Sequence, residues 1–102
     1  MKEISVHELK ERLDKGERLI VIDVREEWEH QEFNIGAINI PLSIFMTKLE
    51  ELSEYRDEEV IVHCKMGGRS LQAGLILEQM GFHNVKNVVG GMEEWKRIHH
   101  SR

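Results

Sequence analysis

Runs of aliphatic and β-branched residues alternate along the chain with stretches whose apolar positions recur at three and four. Ser5 and Glu8 have capping-box spacing, with Ile4 and Leu9 as a staple, and predict a helix over 6–15 that Gly16 ends. LIVIDV (19–24) is a continuous apolar run of the kind found in strands buried on both faces. Residues 26–32 predict a short acidic helix, with Glu26 as a possible cap. AINI (37–40) predicts a strand stopped by Pro41, and Ser43 predicts the cap of a helix running to Leu52. VIVHC (60–64) predicts the third strand, 71–80 a helix stopped by Gly81, and NVKNVV (84–89) the fourth strand. Gly90 and Gly91 turn the chain into a last helix containing Trp95, with fraying expected over 98–102.

Strands separated by helices imply βαβ units: an α/β fold with a small, mainly parallel sheet flanked by helices. The ligand site of such a sheet lies beyond the carboxyl ends of its strands. Cys64 stands at one of those ends.

Composition narrows the function classes. The 102 residues suit one domain, 1–102, burying roughly two-thirds of its unfolded surface. The single cysteine excludes an internal disulfide framework and a multi-cysteine metal cluster. The first residues, MKEISVHELKERL, lack the apolar stretch of a signal peptide, and no apolar run approaches membrane-span length. A cytoplasmic location is expected. The net charge of −5 speaks against nucleic-acid or anionic-membrane partners. Acid concentrates in 26–32 and 50–59, whereas between Val60 and Met92 only Glu78 is acidic and Lys65, Arg69 and Lys86 are basic. The cysteine therefore lies in a locally positive third of an acidic chain.

The segment VIVHCKMGGRSLQAGLIL reads as strand, cysteine, glycine-rich turn and helix. The strand would fix Cys64. Gly67 and Gly68 permit positive φ, so the turn can aim its amides inward. The following helix, starting near Arg69 or Ser70, would direct its positive end at the loop. Lys65 and Arg69 add formal charge. These features favour a thiolate, the nucleophilic form of cysteine, and would equally hold an anion on the sulfur. A packing cysteine needs no such cradle.

CKMGGRS resembles the C-x-x-G-x-R loop of rhodanese-type sulfurtransferases. VIDVREEWE resembles the family's strand ending in D-x-R-x-x-x-E, GAINIPL the segment after it, and VVGGMEEW the closing G-G-x-x-x-W turn and helix. The four motifs occur in order over about Ile4 to Trp95. The resemblance implies a small α/β domain carrying sulfane sulfur as a persulfide on Cys64, with Asp23 and Arg25 organising the loop's surroundings. One departure is EFNIGAINIPL, where Phe33, Asn34 and Ile35 replace the histidine and proline often found before this segment.

From the residues themselves, Asp23 and Arg25 also suit an ion-paired turn at a strand end, with no proton transfer required. Lys65, Met66, Gly67, Gly68, Arg69 and Ser70 form the expected substrate-binding loop, with the two cations recruiting an anion and Met66 at the rim. The six histidines lack a metal-ligand spacing, so no metal is expected. His63 precedes Cys64 on the strand, faces the other side of the sheet, and is a poor base for it.

The expected reaction is transfer of sulfur from a small anionic donor such as thiosulfate to cyanide or a thiol, without a cofactor. Alternatives are a persulfide carrier or sensing module serving a thiol-bearing protein, and a cysteine-dependent phosphatase or arsenate reductase. The last class has five residues between cysteine and arginine, whereas four intervene here. A tighter ring suits one sulfur atom better than a phosphoryl group.

Overall fold

The computed structural model describes residues 1–99. Five strands, β1 (Lys2–Ile4), β2 (Ile20–Asp23), β3 (Ile38–Asn39), β4 (Glu59–His63) and β5 (Asn84–Val88), pair in parallel as one sheet. Their order is β1-β5-β4-β2-β3. Helices α1 (Val6–Asp14), α2 (Glu27–Glu32), α3 (Gly68–Gln79) and α4 (Gly91–His99) and a 3₁₀ segment (Leu42–Tyr55) complete the chain. This is the α/β architecture that the alternating pattern implies.

Alternation along the strands divides the core in two. Ile22, Val60 and Val62 face Phe45 and Leu52 of the 3₁₀ segment and Ala73 and Leu77 of α3. Val21 and Ile61 face Leu9 of α1 and Met92 and Trp95 of α4. The chain leaves β2 toward β3 and returns to β4 on the other side, so connections diverge at the carboxyl ends of β2 and β4. That is the switch point where parallel sheets form their sites.

Four local expectations change. β1 was hidden from the pattern because it has three residues and only Ile4 is buried; it pairs through Ile4 with Val88. The helix expected from Ser43 is a run of 3₁₀ turns capped by Pro41, and Ser43 Oγ instead donates to Glu26 Oε2 at 3.3 Å. Within that run the hydroxyls of Thr47 and Ser53 donate to carbonyls three residues back, at 2.6 and 2.9 Å, competing with α-helical pairing. Of the two loop glycines only Gly67 has positive φ, at 117°; Gly68 is already the first helical residue of α3. Finally, residues 98 and 99 belong to α4 rather than to a frayed end, and 100–102 lie outside the described residues.

Candidate active site

Cys64 follows the last residue of β4, the strand buried between β5 and β2. It is 1% exposed and packs on the α3 side of the sheet. Its Sγ stands where an N-cap oxygen would stand for α3, because Gly67 at the cap has no side chain. The Gly67 amide donates to Sγ at 3.0 Å and the Ser70 amide at 3.4 Å, and the Ser70 hydroxyl lies at 3.3 Å. Burial pushes the thiol pKa up. The Ser70 hydroxyl and the amides of Ser70, Gly67 and Met66 more than offset this and hold it below the ordinary value.

Ser70 has a single hydroxyl proton and three acceptors within reach. Asn87 Oδ1 is 2.6 Å away, Gly67 O 3.2 Å and Cys64 Sγ 3.3 Å. The Asn87 amide donates to Gly67 O at 3.2 Å, which turns its oxygen toward Ser70. One proton cannot serve all three acceptors, and the Asn87 contact is the shortest. Sequence reasoning missed Asn87. Its signal was an amide in a core strand, two residues from the buried Val85 and on the same face, where an amide needs a partner.

The loop is clamped from the far side by α4. Met92 N donates to Cys64 O and Glu93 N to Lys65 O, both at 2.9 Å. This approach requires glycine at 91. Its φ is +57°, and a Cβ there would lie 2.5 Å from Cys64 O and 2.6 Å from Lys65 O.

Asp23 and Arg25 lie at the end of β2, with Asp23 on the side of the sheet opposite Sγ. Asp23 Oδ1 and Oδ2 accept from the Arg25 guanidinium at 3.0 and 2.8 Å, and Oδ2 meets His30 Nδ1 at 2.8 Å. Arg25 also donates to Phe33 O at 2.6 Å, tying β2 to the end of α2. Burial pushes the Asp23 carboxyl up, but Arg25, His63 and His30 bring it below its usual value. His63 is wholly buried, with Nδ1 3.8 Å from Asp23 Oδ1 and no hydrogen-bond partner on either nitrogen. Burial holds its pKa down to about 4, against the pull of Asp23.

The two cations of the loop are paired. Arg69 makes a two-pronged bridge to Glu29, Nη1 to Oε1 at 2.7 Å and Nη2 to Oε2 at 3.0 Å. Lys65 Nζ is 4.0 Å from Glu93 Oε2, with both side chains more than half exposed. Met66 is 63% exposed, at the rim. A cleft of about 370 Å³ opens at Lys65, lined by Glu29, Glu32 and Glu93 as well as Arg25, Lys65 and Lys96. The locally positive stretch of sequence is thus balanced by carboxylates brought from α2 and α4. Among the described residues no group of three His, Cys, Asp or Glu could hold a metal ion, and no helix is long and apolar enough to cross a membrane.

Comparison with known proteins shows the family of the chain. The rhodanese-like domain family matches residues 5–98. The thiosulfate sulfurtransferase GlpE of Coxiella burnetii is 35% identical over 100 residues, covering 96% of this chain and 90% of that one. YrkF of Bacillus subtilis, a sulfur carrier by name, is 37% identical over 94 residues; the match takes in 91% of this chain but only half of that protein's length. A rhodanese-related protein from Thermoplasma volcanium superposes with a TM-score of 0.83 at 34% identity, covering 95% and 92% of the two chains.

Proposed function

As the chain belongs to the rhodanese-like sulfurtransferase family, we propose that it moves sulfane sulfur from thiosulfate to cyanide or a thiol through a persulfide on Cys64. The observation that carries this reading is the convergence of the Gly67 and Ser70 amides and the Ser70 hydroxyl on Sγ, within 3.0–3.4 Å. Donors aimed at the sulfur itself stabilise the thiolate, the form that attacks the outer sulfur of the donor. The Cys64 thiolate attacks the outer sulfur of thiosulfate. The S–S bond breaks, its electron pair leaves with sulfite, and the outer sulfur stays on Sγ. Cyanide then attacks that outer sulfur, thiocyanate departs, and the thiolate is restored. Each half-reaction is a nucleophilic displacement at sulfur, which needs neither a proton donor nor a cofactor.

Loading with Lys65, Met66, Gly67, Gly68, Arg69 and Ser70 as the binding loop leaves Asp23 and Arg25 a supporting role, holding the end of β2 and α2 in place. The lone thiol suits the reducing cytoplasm. Carriage of the persulfide to a protein thiol is the second reading. It is favoured by the sulfur-carrier name of YrkF and by two exposed apolar side chains, Trp28 lining the cleft and Met66 on the cysteine loop, each more than 60% exposed.

The test is mass analysis of the intact protein after thiosulfate alone. The expected result is the gain of one sulfur atom, removed by cyanide as thiocyanate, and no gain in Cys64→Ser. Sulfur loading of the serine variant, or sustained turnover without Cys64, overturns the reading. Slow turnover of every small acceptor beside fast transfer to a protein thiol would identify the carrier.

A further inference from the structure

We propose that Glu29 sets the donor selectivity of the cysteine site by holding Arg69 in a bridge that competes with anionic donors for its guanidinium. The inference rests on Cys64 being the reacting group of the sulfurtransferase reading. Arg69 is one of two cations in the loop, and Cys64 and Arg69 feel one another electrostatically. Yet its guanidinium is committed to both oxygens of Glu29, at 2.7 and 3.0 Å. Glu29 is in turn fixed from behind, since its Oε1 also accepts the Glu26 amide at 2.9 Å, closing the first turn of α2. The carboxylate side chain is 12% exposed and that of Arg69 34%, so solvent screens this pair less than a surface bridge. Each partner stabilises the other's charge: the Glu29 carboxyl is held below its usual value by Arg69, and Arg69 is raised by Glu29.

A sulfonate entering the site competes with Glu29 for the same planar fork of donors. An uncharged reagent does not need that fork and reaches Cys64 whether the bridge is open or closed. Lys65 differs in kind. Its contact with Glu93 is 4.0 Å between half-exposed side chains, so it remains available to an incoming anion. Glu29 therefore acts as an internal competitor against anions at Arg69 alone. In the wild-type protein Arg69 contributes little to anion capture, and removing Glu29's charge makes that contribution appear.

The experiment uses Glu29→Gln, Arg69→Ala and the double variant, with two independent readouts of Cys64. The first is the ratio of alkylation rates by iodoacetate and iodoacetamide, which differ in charge and do not depend on sulfur transfer. The second is the thiosulfate concentration giving half-maximal sulfur loading. Glutamine keeps an oxygen for the Glu26 amide, so the α2 turn survives. Glu29→Gln should raise the iodoacetate-to-iodoacetamide ratio about fivefold and lower the half-saturating thiosulfate by a similar factor. Both effects should vanish in the Arg69→Ala background. An unchanged ratio in Glu29→Gln overturns the proposal, as does a change that persists without Arg69. If the ratio shifts as expected but thiosulfate loads no variant, the selectivity device stands and the sulfurtransferase reading falls.

Discussion

Replacing Gly91 by alanine tests whether α4 holds the cysteine loop in place. The added methyl would lie 2.5 Å from Cys64 O and 2.6 Å from Lys65 O, distances that side-chain carbons do not tolerate. The obstacles are backbone atoms, so relief requires α4 and the loop to separate. Separation breaks the two 2.9 Å hydrogen bonds from Met92 N and Glu93 N. Those bonds contribute about 1 kcal/mol each, and φ of +57° in an alanine adds about 1 kcal/mol of strain. The expected loss is roughly 3 kcal/mol. Gly36→Ala is the control, since its φ is +86° but a Cβ there meets nothing within 4 Å. It should lose only the strain, about 1 kcal/mol. Urea unfolding of the two variants beside wild type measures the difference. About 2 kcal/mol corresponds to roughly 8–16 °C in Tm for a domain of this size. Gly91→Ala should also slow alkylation of Cys64, because the carbonyls it displaces belong to Cys64 and Lys65. Equal destabilisation by the two substitutions would refute the clamp and leave φ as the whole effect.

The two loop glycines should separate in the same way. Gly67→Ala should impair sulfur loading, since φ of 117° aims its amide at Sγ, while Gly68→Ala, at the helical start of α3 with open space around it, should load normally and unfold at equal or higher urea. Iodoacetamide should alkylate Cys64 with a midpoint below the free-thiol value of about 8.5, and Ser70→Ala should move that midpoint upward by removing a hydroxyl and disturbing the ring. A midpoint at the free-thiol value, or one indifferent to Ser70, would show that the donors do not act on the sulfur. The buried His63 should make the fold acid-labile. With its pKa held at about 4 against an unfolded 6.5, the unfolded chain binds the proton first, so stability is fully present above pH 6.5 and falls toward pH 4. The loss between pH 7 and pH 5 is about 2 kcal/mol by urea unfolding. His63→Leu should flatten that slope, and parallel slopes in the two proteins would count against it.

The fold was legible because its signals are local. The central strands β2 and β4 are apolar runs, β5 places Val85 and Val88 between polar residues, and their alternation with helical periods is enough to imply a parallel sheet. β1 escaped because a strand of three residues with one buried side chain carries no period of two; only its register against Val88 makes it a strand. The stretch over 42–55 misled because Leu42, Phe45, Leu49 and Leu52 suit an α-helical stripe, and nothing in that spacing distinguishes α from 3₁₀ turns.

The candidate site divides along the same line. Every hydrogen-bond donor to the sulfur comes from one continuous segment: the strand fixes Cys64, Gly67 turns the chain, and α3 supplies the Ser70 amide and hydroxyl. Sequence order carries that arrangement, because backbone amides go wherever the turn sends them. Charge does not work this way. Arg69 and Lys65 look like an anion trap when only residues 60–92 are in view. Their partners enter from forty residues upstream on α2 and from the start of α4. Coulomb energy depends on where side chains meet in space, so a stretch that is positive along the chain is nearly balanced at the cleft. Asn87 and Gly91 are legible only after folding for the same reason, since each acts on the loop from a different element. A candidate nucleophile can therefore be read from one segment, whereas the charge balance around it depends on residues that the segment does not contain.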